Sequence, residues 1–244
     1  MFRFLFVAGF VILFLIVSIP LMIVEWIIGK FNMELKNRSS LAIVNWAFRV
    51  CLFLAGTKIT VLGEENVPKD VPVLYIGNHR SYFDILLTYT RVPRPTGYIA
   101  KDSMGKVPLL NIWMKNLHCL FLNRENLKEG MKTILTAIEK VKSGISICIF
   151  PEGTRSKVEG EFLPFHQGSF KIAEKAGCLI VPIALNNTAS IFEDHLPKIK
   201  KAHVVIEYGK PIDMSAMERD EKKKISDTVL EEIKRMYFKN RELI

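Results

Sequence analysis

Val71-Pro72-Val73-Leu74-Tyr75-Ile76-Gly77-Asn78-His79-Arg80-Ser81-Tyr82-Phe83-Asp84 is the stretch that decides the fold: an apolar run that stops abruptly at a polar heptad. A short continuous apolar run of this kind reads as a strand buried on both faces, the form strands take in parallel sheets. The heptad then places an imidazole and a carboxylate at the strand's carboxyl end, where open α/β sheets hold their chemistry. A histidine there takes a proton from an alcohol if a neighbouring acid fixes its tautomer.

His79-x4-Asp84 alone is a weak signal, since 5 His and 7 Asp among 244 residues produce that spacing by chance about 0.14 times per chain. Ser81-x-x-Asp84 before Ile85-Leu86-Leu87 also has the pattern of a capping box, which would make Asp84 a helix-start residue. The two roles are compatible. Five positions along a regular helix turn side chains roughly 140° apart. His79 and Asp84 therefore meet only if His79 sits in the strand-to-helix turn and Asp84 in the helix's first turn, where the dipole also favours an anion.

Outward from this stretch, strand-like and helix-like patterns alternate, which predicts an α/β fold with a mixed, mostly parallel central sheet flanked by helices. The expected strands are Lys58 to Leu62, Val71 to Ile76, Gly97 to Ala100, Cys119 to Leu122, Ile145 to Phe150, Leu179 to Leu185 and Val204 to Tyr208. Leu127, Met131, Ile134, Leu135, Ile138 and Val141 recur at helical spacing, and Gly144 ends that helix. Ile225, Val229, Ile233 and Met236 make a second stripe opposite a solvated face of Lys and Glu.

The amino-terminal part differs in kind. Phe4 to Val24 is uncharged and long enough for a bilayer's hydrocarbon, and no small-residue cleavage site follows it. Ser18 and Pro20 interrupt it, and Glu25 and Trp26 close it, so a straight span, a kinked one and a course within one leaflet all fit. Leu41 to Ala55 is too short to span, carries Asn45 and Arg49, and reads as an interfacial helix. The expected division is residues 1–56 as membrane-anchoring helices and 57–244 as the catalytic domain. If the first stretch spans, Lys30, Lys36, Arg38 and Arg49 outnumber Arg3, which puts the catalytic part on the cytoplasmic side of the cell membrane. Cys51, Cys119, Cys148 and Cys178 have no metal-ligand spacing and read as reduced thiols. The net charge of +9 suits an anionic lipid surface, a phosphorylated substrate or an acidic carrier protein, whereas nucleic acid fits poorly with an anchored chain.

Phe150-Pro151-Glu152-Gly153-Thr154-Arg155-Ser156 follows another buried strand, so its polar groups should emerge at the same edge as His79. Gly153 permits close backbone approach, Arg155 offers two donors to a phosphate, and Glu152 can orient a basic partner or a hydroxyl. Read by itself the heptad is more often a surface turn. Arg124 and Lys101 also follow apolar strands, and cations repeated at neighbouring strand ends would build a phosphate pocket. His118, His166, His195 and His203 read as structural or surface residues. There is no Gly-rich nucleotide loop, paired metal-ligand motif or serine nucleophile elbow.

Four blocks in order, Asn78 to Asp84, Phe121 to Arg124, Phe150 to Ser156 and Val181-Pro182-Ile183, resemble the glycerolipid acyltransferase family, in particular its 1-acylglycerol-3-phosphate acyltransferases. Pro164 to Ser169 is similar to the segment after the third block, and the likeness covers about Thr57 to Gly209. The resemblance implies that His79 is the base and Asp84 its partner. It also implies that Arg124, Glu152, Gly153, Thr154 and Arg155 position a glycerol phosphate, with Lys101 like the lysine some members add. Asn123 departs from the family's frequent Asp before the block's arginine, which puts in doubt a salt bridge between positions 123 and 124. The implied reaction moves a fatty acyl group from a thioester of acyl carrier protein or coenzyme A to the 2-hydroxyl of lysophosphatidic acid, with no bound cofactor and no metal. Acylation of another lysolipid or of glycerol 3-phosphate, hydrolysis of a lipid ester, and non-catalytic lipid binding are the competing readings.

Overall fold

The computed structural model describes residues 1–244. Three helices lead, α1 (Phe2–Val17), α2 (Ile19–Phe31) and α3 (Met33–Ala55). Seven strands follow: β1 (Lys58–Leu62), β2 (Val73–Gly77), β3 (Thr96–Lys101), β4 (Leu120–Leu122), β5 (Ser146–Ile149), β6 (Leu179–Asn186) and β7 (His203–Tyr208). They form one sheet in the order β1-β7-β6-β2-β5-β3-β4, parallel throughout except between β6 and β7. The sheet is thus mixed and mostly parallel, as the sequence pattern predicts. Strand β2 starts two residues later than the apolar run, because Pro72 has no N–H for the ladder and Val71 is exposed.

Remaining helices are α4 (Phe83–Tyr89), α5 (Leu110–Asn116), α6 (Leu127–Lys142), α7 (Lys171–Ala176), α8 (Arg219–Lys223) and α9 (Ile225–Asn240). The pleat of β2 divides the core: Val73 and Tyr75 enter a cluster with α3, α4 and α5, while Leu74 and Ile76 enter one with α6, α7 and α9. With β6 and β5 as its two neighbours, β2 is the sheet's buried centre, and its carboxyl end opens between them.

The amino-terminal helices select the kinked course among the alternatives the sequence left open, and correct its reading in two places. Phe4 to Val24 is not one segment: the chain breaks at Ser18 and α2 leaves α1 at 50°. Pro20 causes the break, since it cannot donate to the preceding turn and its ring crowds the carbonyl there. Trp113 fills the gap, its Nε1–H donating to Ser18 Oγ at 2.9 Å. Glu25 does not close the stretch; it lies inside α2, buried, and Oε2 accepts from Ser39 Oγ and Ser40 Oγ at 3.0 and 2.8 Å. Leu41 to Ala55 belongs to the 23-residue α3, about 35 Å long. Length therefore does not keep α3 from spanning, and by length and composition it is the single helix that could cross a membrane alone. Its packing is what matters: Val44, Cys51, Leu52 and Ala55 share a core with the sheet.

Helix α1 also rests on the domain at both ends. Arg3 Nη1 donates to Leu54 O at 2.9 Å, Phe4 stacks on Phe192 at 5.8 Å, and Phe14 stacks on Trp113 at 5.9 Å. Its other flank, with Phe2, Leu5, Phe6, Ile12, Leu13 and Ile16, is exposed. Apolar surface of that extent marks a membrane-associating face. The four cysteines are unbridged and buried.

Candidate active site

Register alone brings the two polar heptads together. Ile76 of β2 pairs with Ile149 of β5, so the residues that follow run side by side off the sheet. His79 N–H donates to Glu152 Oε1 at 2.7 Å, and Ser156 N–H returns a bond to His79 O at 2.9 Å. On the other side, Asn78 exchanges both amide bonds with the backbone of Leu185 in β6, at 3.0 and 2.9 Å. The turn carrying His79 is thereby fixed to both neighbours of β2.

His79 and Asp84 meet in the way the helix geometry requires. His79 lies in the turn, Asp84 in the first turn of α4, and Nδ1 stands 2.8 Å from Asp84 Oδ2. That oxygen also accepts from the N–H groups of Arg80 and Ser81, both at 2.8 Å. Asp84 therefore does return to the Ser81 backbone as in a capping box. The reciprocal half is missing, because Ser81 Oγ accepts from Phe83 N–H and donates to Glu193. Asp84 is fully buried, and its Oδ1 has no partner. With Nδ1–H donating to the carboxylate, Nε2 is the nitrogen left as acceptor. The ring lies on Phe150, centroids 4.4 Å apart and planes 15° off parallel, and the side chain is 18% exposed. The stack and the carboxylate leave the imidazole little freedom to rotate.

Glu152 is a brace in this geometry. Its second oxygen accepts from Leu163 N–H at 3.1 Å, so one buried carboxylate ties the β2 turn, the β5 turn and the segment before α7. Burial pushes its carboxyl up to about 7, against the opposing pull of the two backbone N–H groups. Gly153 has φ +73°, a conformation that strains side-chained residues, and its own N–H closes the turn onto Phe150 O at 3.1 Å. His166, beside this turn, would meet a Cβ there at 3.2 Å.

Arg155 is half-buried, lies over the Tyr82 ring at 3.8 Å, and donates through Nη1 to Glu193 Oε1 at 2.9 Å. Thr154 is exposed, and no side chain or backbone group of the protein accepts from its amide. Lys101 and Arg124 end β3 and follow β4, the sheet's far side, both exposed; no hydrogen bond or ion pair joins either to His79, Asp84, Glu152 or Arg155. The strand-end cations are neighbours in strand order, and no direct contact gathers them. Asn123 donates to Glu129 Oε2 at 2.9 Å and accepts from Glu125 N–H at 3.0 Å.

Sequence reading passed over the residues that lock this edge from outside. Arg80 bonds Glu159 at 2.6 Å and Asp194 at 2.9 Å, Glu159 also accepts from Tyr237, and Glu193 holds Ser81, Tyr82 and Arg155. Their one signal was an acid pair in the loop after β6, a strand adjoining β2.

Sheet, layers and polar edge together define an α/β enzyme whose reactive groups stand beyond the central strands. A family model described as Acyltransferase matches residues 58–186. A 1-acyl-sn-glycerol-3-phosphate acyltransferase of Borreliella burgdorferi is 32% identical over 196 residues, covering 80% of this chain and 78% of that one. The protein of that name from Saccharomyces cerevisiae is 29% identical, covering 78% of this chain and 65% of its own. Among solved structures, the 1-acyl-sn-glycerophosphate acyltransferase PlsC of Thermotoga maritima matches with a TM-score of 0.73 at 25% identity, over 90% of this chain and 94% of that one. The chain belongs to the acyltransferase family.

Proposed function

We infer that this chain transfers a fatty acyl group from a thioester to the 2-hydroxyl of 1-acylglycerol 3-phosphate, giving phosphatidic acid. The observation that carries the chemistry is the His79 Nδ1 to Asp84 Oδ2 contact of 2.8 Å, with Nε2 free of protein partners. His79 Nε2 takes the hydroxyl proton as the oxygen attacks the thioester carbonyl, and Asp84 stabilises the imidazolium. The tetrahedral intermediate collapses with loss of the thiolate, which recovers the proton from His79. No acyl-enzyme is needed, because the substrate alcohol occupies the role a serine has elsewhere. The Gly153 amide is committed to its turn, so the unpartnered Thr154 amide is the donor that turn leaves for the developing oxyanion. Glu152 holds His79 in place rather than meeting substrate.

Arg155 reads the phosphate, keeping Nε and Nη2 after Nη1 is spent on Glu193, and Lys101 and Arg124 add positive potential from β3 and β4. The acyl donor is acyl carrier protein or coenzyme A, both acidic and both suited to the +9 chain. Residues 1–56 hold the enzyme on the cell membrane, with α1 and α2 lying in one leaflet on the cytoplasmic side and residues 57–244 doing the chemistry. Having both ends of α1 on the domain supports an in-plane course over a crossing.

The test is labelled 1-acylglycerol 3-phosphate offered with each thioester. New phosphatidic acid supports the reading. Free fatty acid without it means hydrolysis, and labelled product from glycerol 3-phosphate or another lysolipid alone would move the acceptor.

A further inference from the structure

Glu193 lies 109 positions beyond Asp84 in the chain and outside every block of the family pattern, yet its carboxylate joins two of them. Oε1 accepts from Tyr82 N–H at 2.7 Å and from Arg155 Nη1 at 2.9 Å, and Oε2 accepts from Ser81 Oγ at 2.7 Å. Ser81 and Tyr82 flank the His79 turn, and Arg155 flanks the Gly153 turn. Arg155 thus has two restraints, the carboxylate at one nitrogen and the Tyr82 ring under its plane at 3.8 Å. What they leave open is the side of the guanidinium that carries Nε and Nη2, a fork that matches two oxygens of a phosphate.

We propose that Glu193 is a positioning residue which presets Arg155 for the acceptor's phosphate. An arginine on a surface turn loses several rotamers when it grips a ligand, and that cost weakens binding. Glu193 has met it before the acceptor arrives. The carboxylate also repels a phosphate, but its charge is spread over three donors, one of them the guanidinium between it and the ligand. Its position comes from the preceding residue: Phe192 is held by the stack on Phe4 of α1, so the membrane-facing helix braces the phosphate-reading side chain.

The proposal rests on the reading of Arg155 as the phosphate group's partner, and the experiment separates the two. Acylation is measured in mixed micelles at varied mole fraction of 1-acylglycerol 3-phosphate, for Glu193→Ala, Glu193→Asp, Glu193→Gln, Arg155→Ala and the Glu193→Ala/Arg155→Ala pair, with melting temperatures alongside. Glu193→Ala and the shortened Glu193→Asp are expected to raise acceptor KM about 10-fold with kcat within about 3-fold. Glu193→Gln keeps an acceptor for Tyr82 and Arg155 and should stay within about 3-fold of the parent. In the double variant, loss of Glu193 should add nothing to the KM of Arg155→Ala. If Arg155→Ala raises KM while Glu193→Ala and Glu193→Asp do not, the positioning role is overturned and the phosphate reading stands. Additive effects in the double variant, a fall in KM for Glu193→Ala, or loss of kcat in proportion to a lowered melting temperature also overturn it. An unchanged KM in Arg155→Ala removes both.

Discussion

The polar edge of the sheet has two halves built in different ways. On β2 and β5 the functional groups are interlocked: His79, Asp84 and Glu152 share buried hydrogen bonds with one another and with backbone from three segments. On β3 and β4, Lys101 and Arg124 are exposed and touch none of them. For Arg124 the difference follows from sheet position, since β4 is an edge strand with one neighbour to anchor a turn; Lys101 ends β3, which has neighbours on both sides, yet its side chain is anchored to neither. A reacting group needs its geometry fixed before substrate arrives, whereas a cation that supplies potential acts over about 10 Å and tolerates motion. His79, Asp84 and Glu152 are expected to govern kcat, whereas Lys101 and Arg124, like the phosphate-reading Arg155, act on KM.

The largest test of that contrast is His79→Ala. It removes the base without disturbing Asp84's two backbone donors, so turnover should fall about 10²- to 10⁴-fold while melting changes little. Asp84→Asn should lose a comparable factor, since an amide keeps the hydrogen-bond acceptor and gives up the charge that stabilises the imidazolium. Single-turnover rates with acyl thioester check both. A folded His79→Ala protein that still transfers at the parent rate would place the chemistry elsewhere.

Glu152→Gln comes next and reads the brace. A glutamine has one acceptor where two N–H groups, from His79 and Leu163, now bind, so one of them faces an amide NH2 at a cost of about 1–3 kcal/mol. kcat should fall more than acceptor KM rises, because His79 loses its backbone anchor. The pH dependence has a definite sign. With the carboxyl pushed up from 4.5 to about 7, the folded protein binds the extra proton. Its contribution to stability is fully present below about 4.5 and is lost as pH rises through about 7. The glutamine variant lacks this contribution, so its melting-temperature deficit against the parent should widen between pH 8 and pH 5. A deficit independent of pH would mean that Glu152 is not held near 7.

What the sequence disclosed follows the same division. All seven strands were legible as short apolar or β-branched runs, and β2 and β5 most clearly, because a strand buried on both faces must be apolar along its length and a polar heptad at its end is visible by contrast. The meeting of His79 with Asp84 was legible because both lie within six residues of one another. Glu193, Asp194 and Glu159 were not, since their partners are 38 to 114 positions away and an acidic residue in a loop has no pattern to distinguish it from a solvated one. The bounds and packing of α3 were not legible for a related reason: hydropathy reports how apolar a helix is, and lipid and a β-sheet ask for the same composition. Only packing shows that α3 has the sheet on one side.

In the loose half the expected effects are smaller. Lys101→Ala and Arg124→Ala should each raise acceptor KM about 3-fold with kcat unchanged, the effect shrinking at high salt as screening replaces the lost potential. A 100-fold loss in kcat from either would show that the cation docks into the reacting centre once substrate is bound.

The smallest effect is expected from Asn123→Asp, which restores the charge that the family pattern often has before Arg124. The substitution keeps the oxygen that accepts from Glu125 N–H, but turns the bond to Glu129 into a contact of two carboxylates. Against that repulsion stands the start of α6 four residues on, where an anion is favoured by the exposed N–H groups. Both terms are surface electrostatics of about 0.5 kcal/mol, opposite in sign, so stability should change by less than about 0.5 kcal/mol and acceptor KM by less than about 3-fold. A fall in KM beyond about 10-fold would show that an acid at 123 organises Arg124 for the phosphate, and that this half is loose because Asn123 replaces it rather than because β4 is an edge strand.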